Sequence, residues 1–273
     1  MIRALWRSLE AVHGMIYFAP EAHTRYAAVG LDPAAGYFAS RAAALGPVSA
    51  ETVIATFYNF RPGRVRESIP AAWEKATPSQ LITLRLEAAD EALRRGLGPL
   101  ISSVSEVAGL ARIAAEHASS MLHGRPLFAA HAALPWPTEP HLVLWHAQTL
   151  LREFRGDGHL AALLMEGLSG LEALVIHAAS GEVPAESLRK TRGWSTEDWE
   201  AAVASLTSRG LLTADRTLSP DGLTLRQRVE DRTDAMAAPA YDTLGEDKRA
   251  RLIELGAPLS QAIVAAGMVP IKK

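Results

Sequence analysis

The chain has 273 residues, 48% of them hydrophobic and 21% charged, with a net charge of −2 and no cysteine. That is the composition of a soluble globular protein with a substantial core, and it excludes disulfides, thiolate catalysis and cysteine metal sites. No basic excess favours nucleic acid, no apolar run reaches the roughly 18 residues of a membrane span, and the charged start MIRALWRSLE lacks a signal-peptide core, so a cytoplasmic protein is expected.

Alanine and leucine dominate and β-branched alternation is nearly absent, which predicts a mostly α fold. Residues 4–29 read as a helix interrupted near Pro20, with Trp6, Leu9, His13, Ile16 and Tyr17 on one face. His13 and Tyr17 are four apart and point the same way; His13 is either a core residue or a ligand contact. Asp32-Pro33 opens a helix to Leu45, since proline suits the first helical position. Ser49 caps a short helix that ends in Thr56-Phe57-Tyr58-Asn59-Phe60. Another helix runs from Arg64 to Trp73. Thr77-Pro78-Ser79-Gln80 starts a helix to Arg95, before Gly96. Ser103 to Ser119 forms one more, and a short helix between proline-marked loops holds His131.

The densest mixture of apolar and ionisable groups lies between Leu142 and His177. Leu142, Trp145, His146, Thr149, Leu150 and Phe154 recur at helical steps and share one face. Arg152, Glu153 and Arg155 crowd the last turn, Gly156 acts as a C-terminal stop, Asp157 caps the next helix, and His159 sits in its first turn. The predicted helix–corner–helix is either a structural corner held by Arg–Asp hydrogen bonds or a polar pocket for an anionic or aromatic ligand. A metal site of His146, Asp157 and His159 is a weak pattern, because Asp157 and His159 are two apart on different faces, and no metal is expected.

Downstream, Ser169 caps a helix from Leu171 to Ala178, Pro184 to Thr191 is a second, and Ser195 caps a third from Thr196 to Arg209. Leu211 to Thr213 and Arg216 to Leu218 can pair as a two-stranded wing, and Ser219-Pro220 starts a long helix. Residues 169–236 thereby resemble a winged helix-turn-helix of the MarR type, through SRGLL, the hairpin and LSPDG. Such a fold implies a third helix entering the DNA major groove by its N-terminal residues. Here those are Thr196, Glu197, Asp198 and Glu200. Residues 181–235 carry ten acids and eight bases, whereas DNA affinity depends on several positive contacts. DNA is therefore an unfavoured partner. The tail, Gly245 to Gly267, is a last helix bent at Pro258.

Segments 36–73 and 144–180 each read as helix, glycine corner, short helix, turn, helix, and TPSQLITLRLEAADEALRRGLG parallels STEDWEAAVASLTSRGLLT. This predicts two related helical halves, the first without room for a middle helix or wing. The divisions expected are 1–125, a degenerate repeat; 126–236, the corner with the winged helix; and 237–273, a C-terminal helix. Across the two halves, Tyr58, Asn59, His146, Arg152 and Arg155 would line one cleft.

HExxH, GxGxxG, GxxxxGK[ST] and GxSxG are all missing, so no cofactor is expected. HGMIYFAPE, GYFASRAAALGPV, ATFYNF, LLREFRGDGH and RGWSTEDWEAAVASLTSRGLL together resemble an actinobacterial family described as SalK-like or helix-turn-helix. The resemblance spans nearly the whole chain and implies no particular reaction. The expected function is small-molecule binding on a winged-helix scaffold that has lost DNA binding. Arg152 and Arg155 would hold a polar or anionic group. Asp157 completes the polar set, and Tyr17, Phe57, Tyr58 and Trp145 supply walls. His13, His146 or His159 would do acid–base work if a reaction occurs. The alternatives are a MarR-like ligand-responsive regulator and a cofactor-free enzyme of specialised metabolism, and the long terminal helices could form a homodimer.

Overall fold

The computed structural model describes residues 1–269. Among them the fold is almost entirely helical. The first half holds α1 (Ile2–Gly14), α2 (Pro20–Ala28), α3 (Pro33–Ala42), α4 (Ala50–Phe57), α5 (Pro62–Arg66), α6 (Ala72–Lys75), α7 (Pro78–Leu97), α8 (Ser105–Ala118) and α9 (Pro126–Ala132). The second holds α10 (Pro140–Met165), α11 (Gly170–Ala179), α12 (Ala185–Arg192), α13 (Thr196–Ser208), α14 (Pro220–Ala237) and α15 (Gly245–Ala265). Short 3₁₀ turns join several of them. No single described helix is long and apolar enough to cross a membrane.

Local chemistry sets six of the fifteen α-helix starts among the described residues. Asp32, Ser49, Thr77, Ser169, Ser195 and Ser219 each accept a backbone N–H in the first turn of the helix that follows, which satisfies donors that have no helical partner. The helix expected from Arg64 to Trp73 divides into α5 and α6, because Pro70 has no N–H to continue the ladder.

Two apolar cores result. The first gathers α1 to α9, the first half of α10 and α15. The second gathers the end of α10, α11 to α14 and the Leu211-Leu212 segment. The C-terminal α15 returns to α1, and Gly256 makes this possible: a Cβ there would sit 2.7 Å from Leu9 Cγ.

Helix α10 is the axis of both cores and the main correction to the sequence reading. It runs unbroken through Gly156 and Gly158, so the expected corner does not exist. Two glycines in a helix cost about 2 kcal/mol. Continuing offsets this by burying Leu163, about 1.5–3 kcal/mol, and by setting Gly158 against Met236 Cβ and Arg125, 3.1 and 3.2 Å from where a Cβ would lie. Asp157 therefore caps no following helix. Its carboxylate instead accepts the Phe128 N–H at 3.0 Å, capping α9 from a distance. The segments 36–73 and 144–180 also differ here: the first breaks into short helices, and the second is largely one rod. The expected two-stranded wing is reduced to a single antiparallel bridge between Leu212 and Leu218, closed by Thr213 N–H to Thr217 O at 2.9 Å. Five residues separate the bridged pair, and the turn consumes them, with Arg216 left-handed at φ 60°.

Candidate ligand-binding site

A cavity of about 760 Å³ opens where α1, α3, α7 and α10 approach the end of α12. A smaller one of about 220 Å³ adjoins it and shares Glu10, Tyr37, Phe60, Arg152 and Arg192. The walls are aromatic. Tyr17 and Tyr37 have ring centroids 5.4 Å apart, and Tyr37 and Phe60 5.5 Å.

Charge distinguishes this cavity. Among the described residues, only Arg7, Arg64, Arg85, Arg125 and Arg192 lack a carboxylate within ion-pair distance. Arg125 gives its guanidinium to the carbonyls of Phe154 and Met236. The other four all line the cavity. Arg85 is 5% exposed; its Nη1 donates to Ser40 O at 3.3 Å, its Nη2 has no partner among the described residues, and its guanidinium stands 5.2 Å from the Trp145 ring. Arg192 reaches in from α12 over Phe60 at 5.0 Å.

Two carboxylates oppose this surplus. Glu153, buried on α10, accepts from Arg41 at 3.2 Å and Arg152 at 3.4 Å. Burial raises its pKa, but Arg41 and Arg152 outweigh burial and hold it at about 2. Glu10 accepts from Arg152 Nε at 3.1 Å. Arg41 Nη1 donates to the Tyr37 hydroxyl at 2.9 Å, and Arg152 Nη1 to the Tyr17 hydroxyl at 3.4 Å. Burial likewise pushes the Tyr37 phenol up, and Arg41, Arg192 and Arg152 more than reverse it, leaving it below its ordinary value.

The residues expected at a site divide into three groups. Tyr17 and Arg152 line the large cavity. His13 and Trp145 lie directly beneath, stacked with centroids 5.5 Å apart. Both His13 ring nitrogens lack partners among the described residues, and burial, then Arg152, Arg85 and Arg41, holds its pKa well below 6.5. Phe57 lines the smaller cavity, under the Arg41 guanidinium at 4.3 Å. A second group lines only the smaller cavity and is tied elsewhere. Arg155 pairs with Glu230 at 3.1 Å and Asp234 at 3.4 Å. Burial raises the Asp157 pKa to about 6, and His159 Nδ1 meets Thr233 Oγ1 at 3.0 Å, with burial lowering its pKa to about 4. The Asn59 carbonyl accepts Trp194 Nε1 at 2.9 Å. Tyr58 and His146 form the third group, away from both cavities. Tyr58 donates to Leu168 O, fastening α4 to α11. His146 packs edge-on to Trp136, 4.7 Å between centroids, and burial lowers its pKa to about 4. No group of three potential metal ligands occurs among the described residues.

Tyr37, Arg41, Arg85 and Arg192 were absent from the expected set. Only Arg85 had a sequence signal: it interrupts the apolar stripe Leu81, Ala88, Ala89 and Ala92 of α7. A shallow groove along α14 is a weaker candidate, since Arg228 and Arg232 there are paired with Glu166.

Residues 2–270 match a helix-turn-helix family. The chain belongs to that family. No curated protein and no solved structure is significantly similar to it. Helices α11 and α12 precede α13, whose buried stripe is Trp199, Ala202, Val203 and Leu206. Glu197 and Asp198 are exposed at its N-terminus. Asp198 accepts from Ser195 Oγ at 2.7 Å, and Glu200 pairs with Arg216 at 2.8 Å. The acids suit the positive end of the helix dipole and present like charge to a phosphate backbone.

Proposed function

We propose that this helix-turn-helix protein binds a small organic anion in the cavity between α1, α3, α7, α10 and α12, and that its α13 surface does not read DNA. One observation carries the reading: four of the five arginines without a carboxylate partner among the described residues line one aromatic-walled cavity. Of the four, Arg85 is buried, Arg64 and Arg192 are half-buried and Arg7 is exposed; a buried charge left without its counter-charge is costly, so a bound anion would act mainly on Arg85. The size agrees, since ligand cavities span roughly 300–1,000 Å³. Arginine also offers a planar fork of donors suited to a carboxylate or similar group. The reading requires no relation between the two halves and no catalysis.

The test is calorimetric titration of the wild type with benzenesulfonate, followed by Arg85→Gln and Arg192→Gln. Binding that weakens in both variants supports the reading; equal affinity in all three proteins removes it.

A second reading, a ligand-responsive regulator, is favoured by the family and by α12, which contributes Thr191 and Arg192 to the cavity wall. It predicts DNA affinity that falls steeply with salt. Fluorescence anisotropy with the DNA upstream of its own gene, at low salt and with benzenesulfonate added or withheld, separates the two. A salt-sensitive signal would establish the regulator and reject the disarmed α13 surface.

A further inference from the structure

The cavity carries a second kind of donor. Tyr17 and Tyr37 both line it, and each hydroxyl accepts an N–H from an arginine: Arg152 to Tyr17 at 3.4 Å, Arg41 to Tyr37 at 2.9 Å. Neither phenolic proton has an acceptor among the described residues. A phenol whose oxygen already receives a charged donor is a stronger donor through its own O–H. The carboxylates near enough to compete are occupied: Glu10 by Arg152 and Trp6, Glu153 by Arg41 and Arg152. His13 lies against Tyr17, 5.7 Å between centroids, without a hydrogen bond to it.

We propose that Tyr17 and Tyr37 form a paired hydrogen-bond donor for one anionic oxygen, and that the ligand is a phenol or enol bound as its oxyanion. This deepens the anion-binding reading and rests on it. The aromatic walls suit a planar ligand, and the arginine surplus stabilises the negative charge that remains when the ligand loses its proton to solvent. No covalent bond forms or breaks. The placement is of the type that stabilises enolates and phenolates in proteins, two donors set where charge resides. The lowered pKa of the Tyr37 phenol agrees with donors of this strength.

The test uses 4-nitrophenol, whose ionised form is coloured, titrated with pH while bound to the full-length protein. A hydrogen bond to a charged group contributes about 1.5–3 kcal/mol, so binding is expected to raise the probe's acidity constant at least about tenfold. Tyr37→Phe and Tyr17→Phe, which keep the ring packing, should each return about threefold or more of that gain, and the double variant nearly all of it. Benzenesulfonate, which carries a permanent charge, serves as the parallel probe. If it binds through Arg85 and Arg192 while bound nitrophenol titrates as it does in water, the tyrosine pair is rejected and anion binding stands. If neither probe binds, both readings fall. An acidity shift that survives in the double variant also rejects the pair.

Discussion

Glu153→Gln tests the electrostatic account of the site most directly. The wild-type carboxylate is 5% exposed at its side chain and sits between Arg41 and Arg152. Its pKa falls from 4.5 to about 2 in the fold, a difference worth about 3 kcal/mol at neutral pH. Because the folded value lies below the unfolded one, this contribution is fully present above pH 4.5 and disappears as pH falls toward 2. Glutamine keeps the volume but leaves two guanidinium groups facing a neutral amide. Removing one partner of a buried pair costs about 3–5 kcal/mol, in line with the linkage figure. The variant is therefore expected to melt roughly 6–12 °C lower at pH 7 and to lose less stability than wild type between pH 4.5 and 3. Scanning calorimetry across that range reads both effects. A variant within about 0.5 kcal/mol of wild type at pH 7, the scatter of ordinary surface substitutions, would refute the idea that Glu153 compensates the arginines.

Three further outcomes follow from the packing. Gly170→Ala places a Cβ far closer than van der Waals contact to the Tyr58 carbonyl oxygen, where only backbone could yield; it should cost about 1–3 kcal/mol and speed amide exchange across α11 and α12, measurable by mass spectrometry. His13→Leu removes a buried imidazole that must stay neutral, so stability that wild type loses as pH falls below 6.5 should fall less steeply in the variant, read by urea unfolding at several pH values. Asp157 has a folded pKa raised from 3.8 to about 6, which makes it a liability that grows as pH rises through that window. Asp157→Asn keeps an acceptor for the Phe128 N–H and should be more stable than wild type at pH 7.5 and no different at pH 3.5, with equilibrium unfolding as the check.

How much of this could be read from the chain depends on the range of the forces involved. Helix starts were legible because their causes lie within three residues, as at Thr77 with Gln80 and Ser169 with Glu172. The reading of Gly156 as a stop failed for the opposite reason. A glycine ends a helix only when the following residues gain more outside it, and here α9 and α14 supply partners along the continuous α10, from Asp157 to Phe128 and from Arg155 to Glu230. The site divides in the same way. Tyr17 and Arg152 could be placed on promising helix faces, but nothing local joins Arg192 of α12 to Tyr37 of α3. Their meeting depends on the 58–61 loop docking onto the end of α12 and the turn that follows it, through Arg61 N–H to Arg192 O at 3.0 Å and Trp194 Nε1 to Asn59 O. The overall charge hid the site as well. A net charge of −2 averages the exposed acids of α13 with the unpaired arginines of the cavity. Each imbalance is informative only once the fold shows which charges already have partners.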